Sequence, residues 1–176
     1  SGNVAMSKDL GWIVVPKEEE DETLLLANDF NADGYGDVLI RKNTGQWWLY
    51  LLNGSRGVIA GTGGVGLASG ADWQLAAKAD FNGDGFMDVL IRNQSTGAWY
   101  LYHLNGARGF VSRGGVGLTK SLDYEFKAAA DFNGDGHTDV LVRNISTGSW
   151  YLYQLNGARG VIAGSGGIGM TKNLSY

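Results

Sequence analysis

The stretch Asp80-Phe81-Asn82-Gly83-Asp84-Gly85-Phe86-Met87-Asp88-Val89-Leu90-Ile91-Arg92 sets acidic and amide side chains at alternate positions of a glycine-punctuated loop, then runs straight into an apolar segment. The same pattern opens at Asp29-Phe30-Asn31-Ala32-Asp33-Gly34 and again at Asp131-Phe132-Asn133-Gly134-Asp135-Gly136, in steps of 51 residues. Such a fixed period marks a repeat architecture, in which one supersecondary unit is stacked on copies of itself. The apolar segments Val38-Leu39-Ile40-Arg41, Val89-Leu90-Ile91-Arg92 and Val140-Leu141-Val142-Arg143 read as strands, bounded by loops rich in Asp, Asn and Gly.

Downstream, each unit carries an aromatic run: Trp47-Trp48-Leu49-Tyr50, Trp99-Tyr100-Leu101-Tyr102 and Trp150-Tyr151-Leu152-Tyr153. Each run ends at an Asn-Gly pair, Asn53-Gly54, Asn105-Gly106 or Asn156-Gly157, which between apolar segments is a strong hairpin signal. A unit therefore reads as about four short strands: one before the acidic loop, one after it, the aromatic strand, and a last one such as Val58-Ile59-Ala60. The alternation puts Trp and Leu on one face and Tyr on the other, so both faces suit burial against neighbouring sheets. The expected fold is all-β, with three tandem four-stranded antiparallel propeller blades, because β-helix coils are much shorter than these units.

The chain of 176 residues is expected to form a single repeat domain, with repeats at about 24–73, 74–124 and 125–176. Residues 1–23 form a connector-like leading segment with an acidic insertion at Pro16-Lys17-Glu18-Glu19-Glu20-Asp21-Glu22, read as a solvated loop. Propellers typically need about four to eight blades, and three do not close. Val4-Ala5-Met6-Ser7-Lys8-Asp9-Leu10 resembles the later connectors at 116–122 and 168–174. This leaves two expectations: a portion of a longer propeller, or half of a six-bladed ring completed by a second copy as a homodimer.

The loops share the pattern Asp-x-Asn-x-Asp-Gly-x-x-Asp. Calcium takes roughly six to eight oxygens, and alternate residues of a curled loop can all point inward. Positions one, three, five and nine offer carboxylate or amide oxygens, and position seven a backbone carbonyl. The candidate ligands are Asp29, Asn31, Asp33, Tyr35 and Asp37; Asp80, Asn82, Asp84, Phe86 and Asp88; and Asp131, Asn133, Asp135, His137 and Asp139, for about one Ca2+ per repeat and three per chain. The sixth-position glycines permit the sharp turn. An EF-hand fails because its twelfth position, a bidentate Glu, is here Ile40, Ile91 or Val142. Magnesium is disfavoured because it keeps its waters. The plainer alternative is an Asx-turn without an ion.

These loops, each leading into a Val-Leu-Ile strand, resemble the FG-GAP repeats, also called VCBS-type repeats, of bacterial surface proteins and integrin α-subunit propellers. The resemblance spans residues from about 24 to 176. It implies propeller blades whose calcium loops join the first two strands, and an extracellular or cell-surface location. It implies no single ligand, since such blades serve adhesion, lectin-like glycan binding and accessory roles in secreted polysaccharide-active enzymes.

Other chemistry is poorly supported by the residues. The chain has no cysteine, which removes disulfides and thiolate metal sites. A net charge of −4 without Lys/Arg clusters argues against nucleic acid, and no run of about 18 apolar residues suggests a membrane span. The two histidines, His103 and His137, hold non-equivalent places and stand in no nucleophile motif, so the expected module is not an enzyme. Gly63-Gly64-Val65-Gly66, Gly114-Gly115-Val116-Gly117 and Gly166-Gly167-Ile168-Gly169 lack the Gly-Lys-Ser/Thr ending of a phosphate loop. Trp47, Trp48, Trp73, Trp99 and Trp150 are read first as core and second as a glycan platform, with Trp12 and Trp73 near connectors. Arg41, Arg92 and Arg143 are expected to pair with acidic groups, and Arg56, Arg108 and Arg159 to lie on the surface. The expected partner is a protein or a glycan.

Overall fold

A computed structural model describes residues 4–7, 11–14 and 22–173. The acidic insertion lies almost wholly outside them, and the Trp12 side chain is also outside the described set. A two-stranded antiparallel pair, β1 (Val4–Ser7) with β2 (Gly11–Val14), precedes three four-stranded antiparallel sheets. The first sheet is β3 (Glu22–Asn28), β4 (Asp37–Lys42), β5 (Trp47–Tyr50) and β6 (Gly63–Val65). The second is β7 (Trp73–Ala79), β8 (Asp88–Asn93), β9 (Trp99–Leu104) and β10 (Phe110–Gly115). The third is β11 (Tyr124–Ala130), β12 (Asp139–Asn144), β13 (Trp150–Tyr153) and β14 (Gly166–Ile168). Within each sheet the strands lie in chain order, the meander of a propeller blade.

The period-two alternation sorts the side chains as expected. From the first blade, Leu39, Trp47, Leu49 and Val65 meet Val89, Ile91, Tyr102 and Leu104 of the second in one buried cluster. From the opposite face of the second blade, Leu90, Trp99, Leu101 and Val116 meet Val140, Val142 and Leu155 of the third in another. At both junctions the Trp/Leu face of the earlier blade thus meets the Tyr face of the later one. Polar staples cross the same junctions. The Tyr102 hydroxyl accepts from the Ala68 N–H at 2.9 Å, and Tyr153 from Thr119 at 3.1 Å. The carbonyls of those same connector residues accept from the indoles of Trp47 (3.2 Å) and Trp99 (2.8 Å), so one residue ties two blades together.

The last strand departs from expectation in the first and third blades, whereas in the second it is β10, which begins at Phe110, the counterpart of Val58. In the first blade it is Gly63–Val65, opposite Trp47–Leu49, whereas Val58 makes only an isolated bridge to Leu52. Sterics account for the glycines of that strand. A side chain on Gly63 would collide with the Arg108 guanidinium of the next blade, and one on Gly114 with that of Arg159. In the first two blades the glycine-rich segments are therefore strands whose missing side chains seat an arginine. Arg56 and Arg108 are exposed, as expected, and Arg159 is half-buried, yet Arg108 and Arg159 also reach across the junctions, where Arg159 donates to the Arg113 carbonyl.

The Arg41, Arg92 and Arg143 series meets main-chain carbonyls, and for Arg92 and Arg143 these take the place of the expected acids among the described residues. Arg41 donates to Gly70 at 3.1 Å, Arg92 to Ser121 at 2.8 Å and to Tyr124, and Arg143 to Asn173. Each guanidinium also lies over a tryptophan ring, Trp47, Trp99 or Trp150. Burial holds Arg92 below its usual pKa range. The Asn-Gly pairs sit in wider loops than a two-residue hairpin, because the Asn53 side-chain oxygen accepts from Ser55 and Gly57 and so spans the turn.

Leu101 is fully buried in the second junction, so Leu101→Ala removes buried methyl groups and leaves a cavity costing roughly 2–5 kcal/mol. Urea denaturation is expected to show that loss; a midpoint unchanged from the parent chain would contradict the packing described.

Candidate functional site

Each acidic loop joins the first two strands of its blade and curls around its own carboxylate. In the second loop, Asp80 Oδ1 accepts from Gly83 N (2.7 Å) and Asp84 N (3.2 Å), and Oδ2 from Gly85 N (2.8 Å). Asn82 Oδ1 accepts from Asp84 N at 3.0 Å, its Nδ2 donates to Asp84 Oδ2 at 2.8 Å, and Asp84 Oδ1 accepts from Phe86 N at 2.9 Å. The third loop repeats these contacts through Asp131, Asn133 and Asp135. The Gly136 N–H, foremost among the donors to Asp131, holds that carboxyl below the usual carboxylate range.

The first loop differs at one position. Ala32 stands where Gly83 and Gly134 do, with φ of 59° against 76° and 81°. Left-handed backbone costs an alanine more than a glycine. Otherwise Asp29, Asn31 and Asp33 make the same turn.

The structure brings the first, third and fifth positions together on an exposed turn and gives the ninth a second task. Asp37 is fully buried; its Oδ2 accepts from Phe30 N at 2.8 Å and its Oδ1 from Leu52 N at 2.9 Å. Asp88 does the same with Phe81 and Leu104, both at 2.9 Å, and Asp139 with Phe132 at 3.1 Å and Leu155 at 2.9 Å. Each carboxylate therefore ties the start of its loop to the end of the aromatic strand. Burial pushes Asp88 up to about 7, with Asp84 and Asp80 adding to the rise, against the two N–H groups that favour its ionised form. Spacing alone conceals this role, since a ligand and a buried acceptor call for the same residue type.

The seventh position has a further role that sequence reading missed. Ring atoms of Tyr35, Phe86 and His137 occupy the space where a side chain on Gly54, Gly106 or Gly157 would project, so each covers the Asn-Gly turn of its own blade. The signal lies in the pairing of a bulky seventh residue with a glycine about twenty positions on. His103, the other histidine, is buried with Nδ1 2.9 Å from Ser112 Oγ, and burial together with Arg159 holds it below the usual imidazole range.

Chemically, the loops present oxygen donors alone. Among the described residues, no three acidic or histidine side chains are gathered into one metal cage. The fit to a hard cation rests on the exposed Asp-Asn-Asp turn, the seventh-position carbonyl, and the lone pairs that each ninth-position carboxylate oxygen keeps after accepting one N–H.

Replacing Asp88 by alanine strands two buried main-chain N–H groups, each costing about 1–3 kcal/mol. Asp88→Ala is expected to destabilise the chain in chelator as well as in calcium, whereas exposed Asp84→Ala costs clearly less in chelator. Equal losses for the two variants in EDTA would contradict the division of labour.

The FG-GAP-like repeat model matches residues 29–91 and 80–142, each match opening on the first aspartate of a loop and running across one blade into the next. No curated protein matches the chain, and among the described residues no helix is long and apolar enough to cross a membrane. With three blade-like sheets and two overlapping repeat matches that together span most of its length, the chain belongs to the FG-GAP-like repeat family.

Proposed function

We propose that the protein is a non-catalytic propeller module for extracellular or cell-surface interaction, each of whose acidic loops binds one calcium ion. The observation that carries this reading is the threefold recurrence of one loop geometry, with Asp29-Asn31-Asp33, Asp80-Asn82-Asp84 and Asp131-Asn133-Asp135 held in equivalent turns by equivalent hydrogen bonds. Two unit charges about 4 Å apart repel by roughly 4 kcal/mol at an effective dielectric of about 20. A divalent ion offsets that repulsion. Asp37, Asp88 and Asp139 and the carbonyls of Tyr35, Phe86 and His137 complete the proposed donor sets, with water filling the remaining positions. The ion would supply folding stability and a rigid rim rather than chemistry, and the ligand recognised by that rim is a protein or a glycan.

Glycan binding has a specific observation in its favour. A cleft of about 280 Å³ lies at the outer part of the first blade, lined by Gln46, Trp47, Trp48, Gly64, Gly66 and Ser69 among others. An indole face beside amide and hydroxyl groups suits a sugar ring. If this cleft is the site, Trp48→Ala abolishes the signals given by the parent chain on a glycan array; a parent chain that binds no glycan sinks this second reading.

An ion bound only by the native state stabilises it by about 2.7 kcal/mol per site at a hundredfold excess over Kd. Differential scanning calorimetry is therefore expected to show a melting temperature that falls in EDTA and recovers with added calcium. Identical melting curves in the two conditions would defeat the calcium assignment.

A further inference from the structure

The second and third acidic loops are built onto one another. Thr138, the eighth residue of the third loop, is 8% exposed, and its hydroxyl donates at 2.6 Å to the main-chain carbonyl of Asp80, the leading residue of the second. Beside that bond the two backbones nearly touch: a side chain on Gly83 would stand 3.1 Å from the Gly136 carbonyl oxygen and 3.5 Å from His137 Nδ1. Both partners in this contact are bonded to carboxylates of their own loop. Gly83 donates to Asp80 Oδ1 at 2.7 Å, while the peptide that brings the Gly136 carbonyl against Gly83 donates its His137 N–H to Asp135 Oδ1 at 2.9 Å. A continuous path thus runs from Asp135 of one loop to Asp80 of the other.

The first junction differs at each of these positions. Met87 stands where Thr138 does, and its Sδ lies 3.3 Å from Asn28 Nδ2, a contact that ends on a side chain and uses a weak acceptor. Ala32 stands where Gly83 does and carries the methyl group for which the close approach at the second junction leaves little room.

We propose that Thr138 is a positioning residue for the second loop, holding Asp80 from the neighbouring blade, and that through it the second and third loops take up calcium cooperatively. The cooperative uptake rests on the calcium reading given above. The Gly136–His137 peptide and Thr138 belong to the turn that the third loop closes on its ion, and the same atoms support Asp80 and Gly83 of the second. Filling either loop therefore leaves the other less freedom to lose, and the coupling is reciprocal. Repulsion between the two ions opposes it and is screened over about 8 Å at about 0.15 M salt, so the coupling is measured there.

Thr138→Val removes the hydroxyl, and Thr138→Ser keeps it. In chelator, hydrogen exchange followed by NMR is expected to quicken about fivefold in the Val variant at the amides that Asp80 holds, the factor that one hydrogen bond of ordinary net worth carries. Those amides are Gly83, Asp84 and Gly85, and the Ser variant keeps the parent rates. Calorimetric titration is expected to show calcium bound more weakly at the second and third loops of the Val variant by a similar factor, again restored by Ser. With the second loop disabled by Asp84→Ala, adding Thr138→Val leaves the remaining sites unchanged. Parent-like exchange and affinity in the Val variant overturn the proposal while calcium binding stands. Weakening of the same size in the Asp84→Ala background also overturns it, by confining Thr138 to the site of its own loop. A parent chain that binds no calcium overturns the calcium reading and the cooperative uptake together.

Discussion

A buried carboxylate that accepts two main-chain N–H groups is the constraint on which each blade depends. Asp37, Asp88 and Asp139 are fully buried, and each joins the first residue after the loop's leading aspartate to the end of the aromatic strand. Each carboxylate has two oxygens and gives one to each N–H, so a single side chain satisfies both buried donors. Through them the loop is anchored at both ends, which sets where its exposed aspartates stand and how the second strand meets the third. Fold and candidate site are thus one piece of chemistry, with the ninth residue holding the scaffold and the first, third and fifth facing solvent.

Stacking is a consequence of alternation. A blade has two apolar faces of different composition, and each is satisfied only by the opposite face of another blade. Hydroxyls, indoles and guanidinium groups on the rims fix the register, since Tyr102 and Trp47 meet the same connector residue from opposite sides. Packing of this kind is directional.

Much of this is legible in the residues. The 51-residue step, the strand after each acidic loop and the Trp/Leu-versus-Tyr division of faces are local patterns, and pattern survives folding when local and global preferences agree. The hidden features depend on contacts between units. Gly63-Gly64-Val65 reads as a connector because glycines disfavour strands, yet the chain needs a strand with no side chain there to receive Arg108. Arg92 is expected beside an acid and instead meets two carbonyls and an indole, which no spacing rule encodes. The aromatic cover that Phe86 gives Gly106 and the buried role of Asp88 are concealed for the same reason: each residue type already has a sufficient local explanation.

The calcium assignment joins the exposed turns to the function, and titration of the metal into chelator-stripped protein examines it without reference to partner or ligand. Isothermal titration calorimetry of calcium into the full chain is expected to give three sites per chain, reduced to two when Asp84 is replaced by alanine. Absence of binding heat at millimolar calcium, together with no ion retained in native mass spectra, would contradict it.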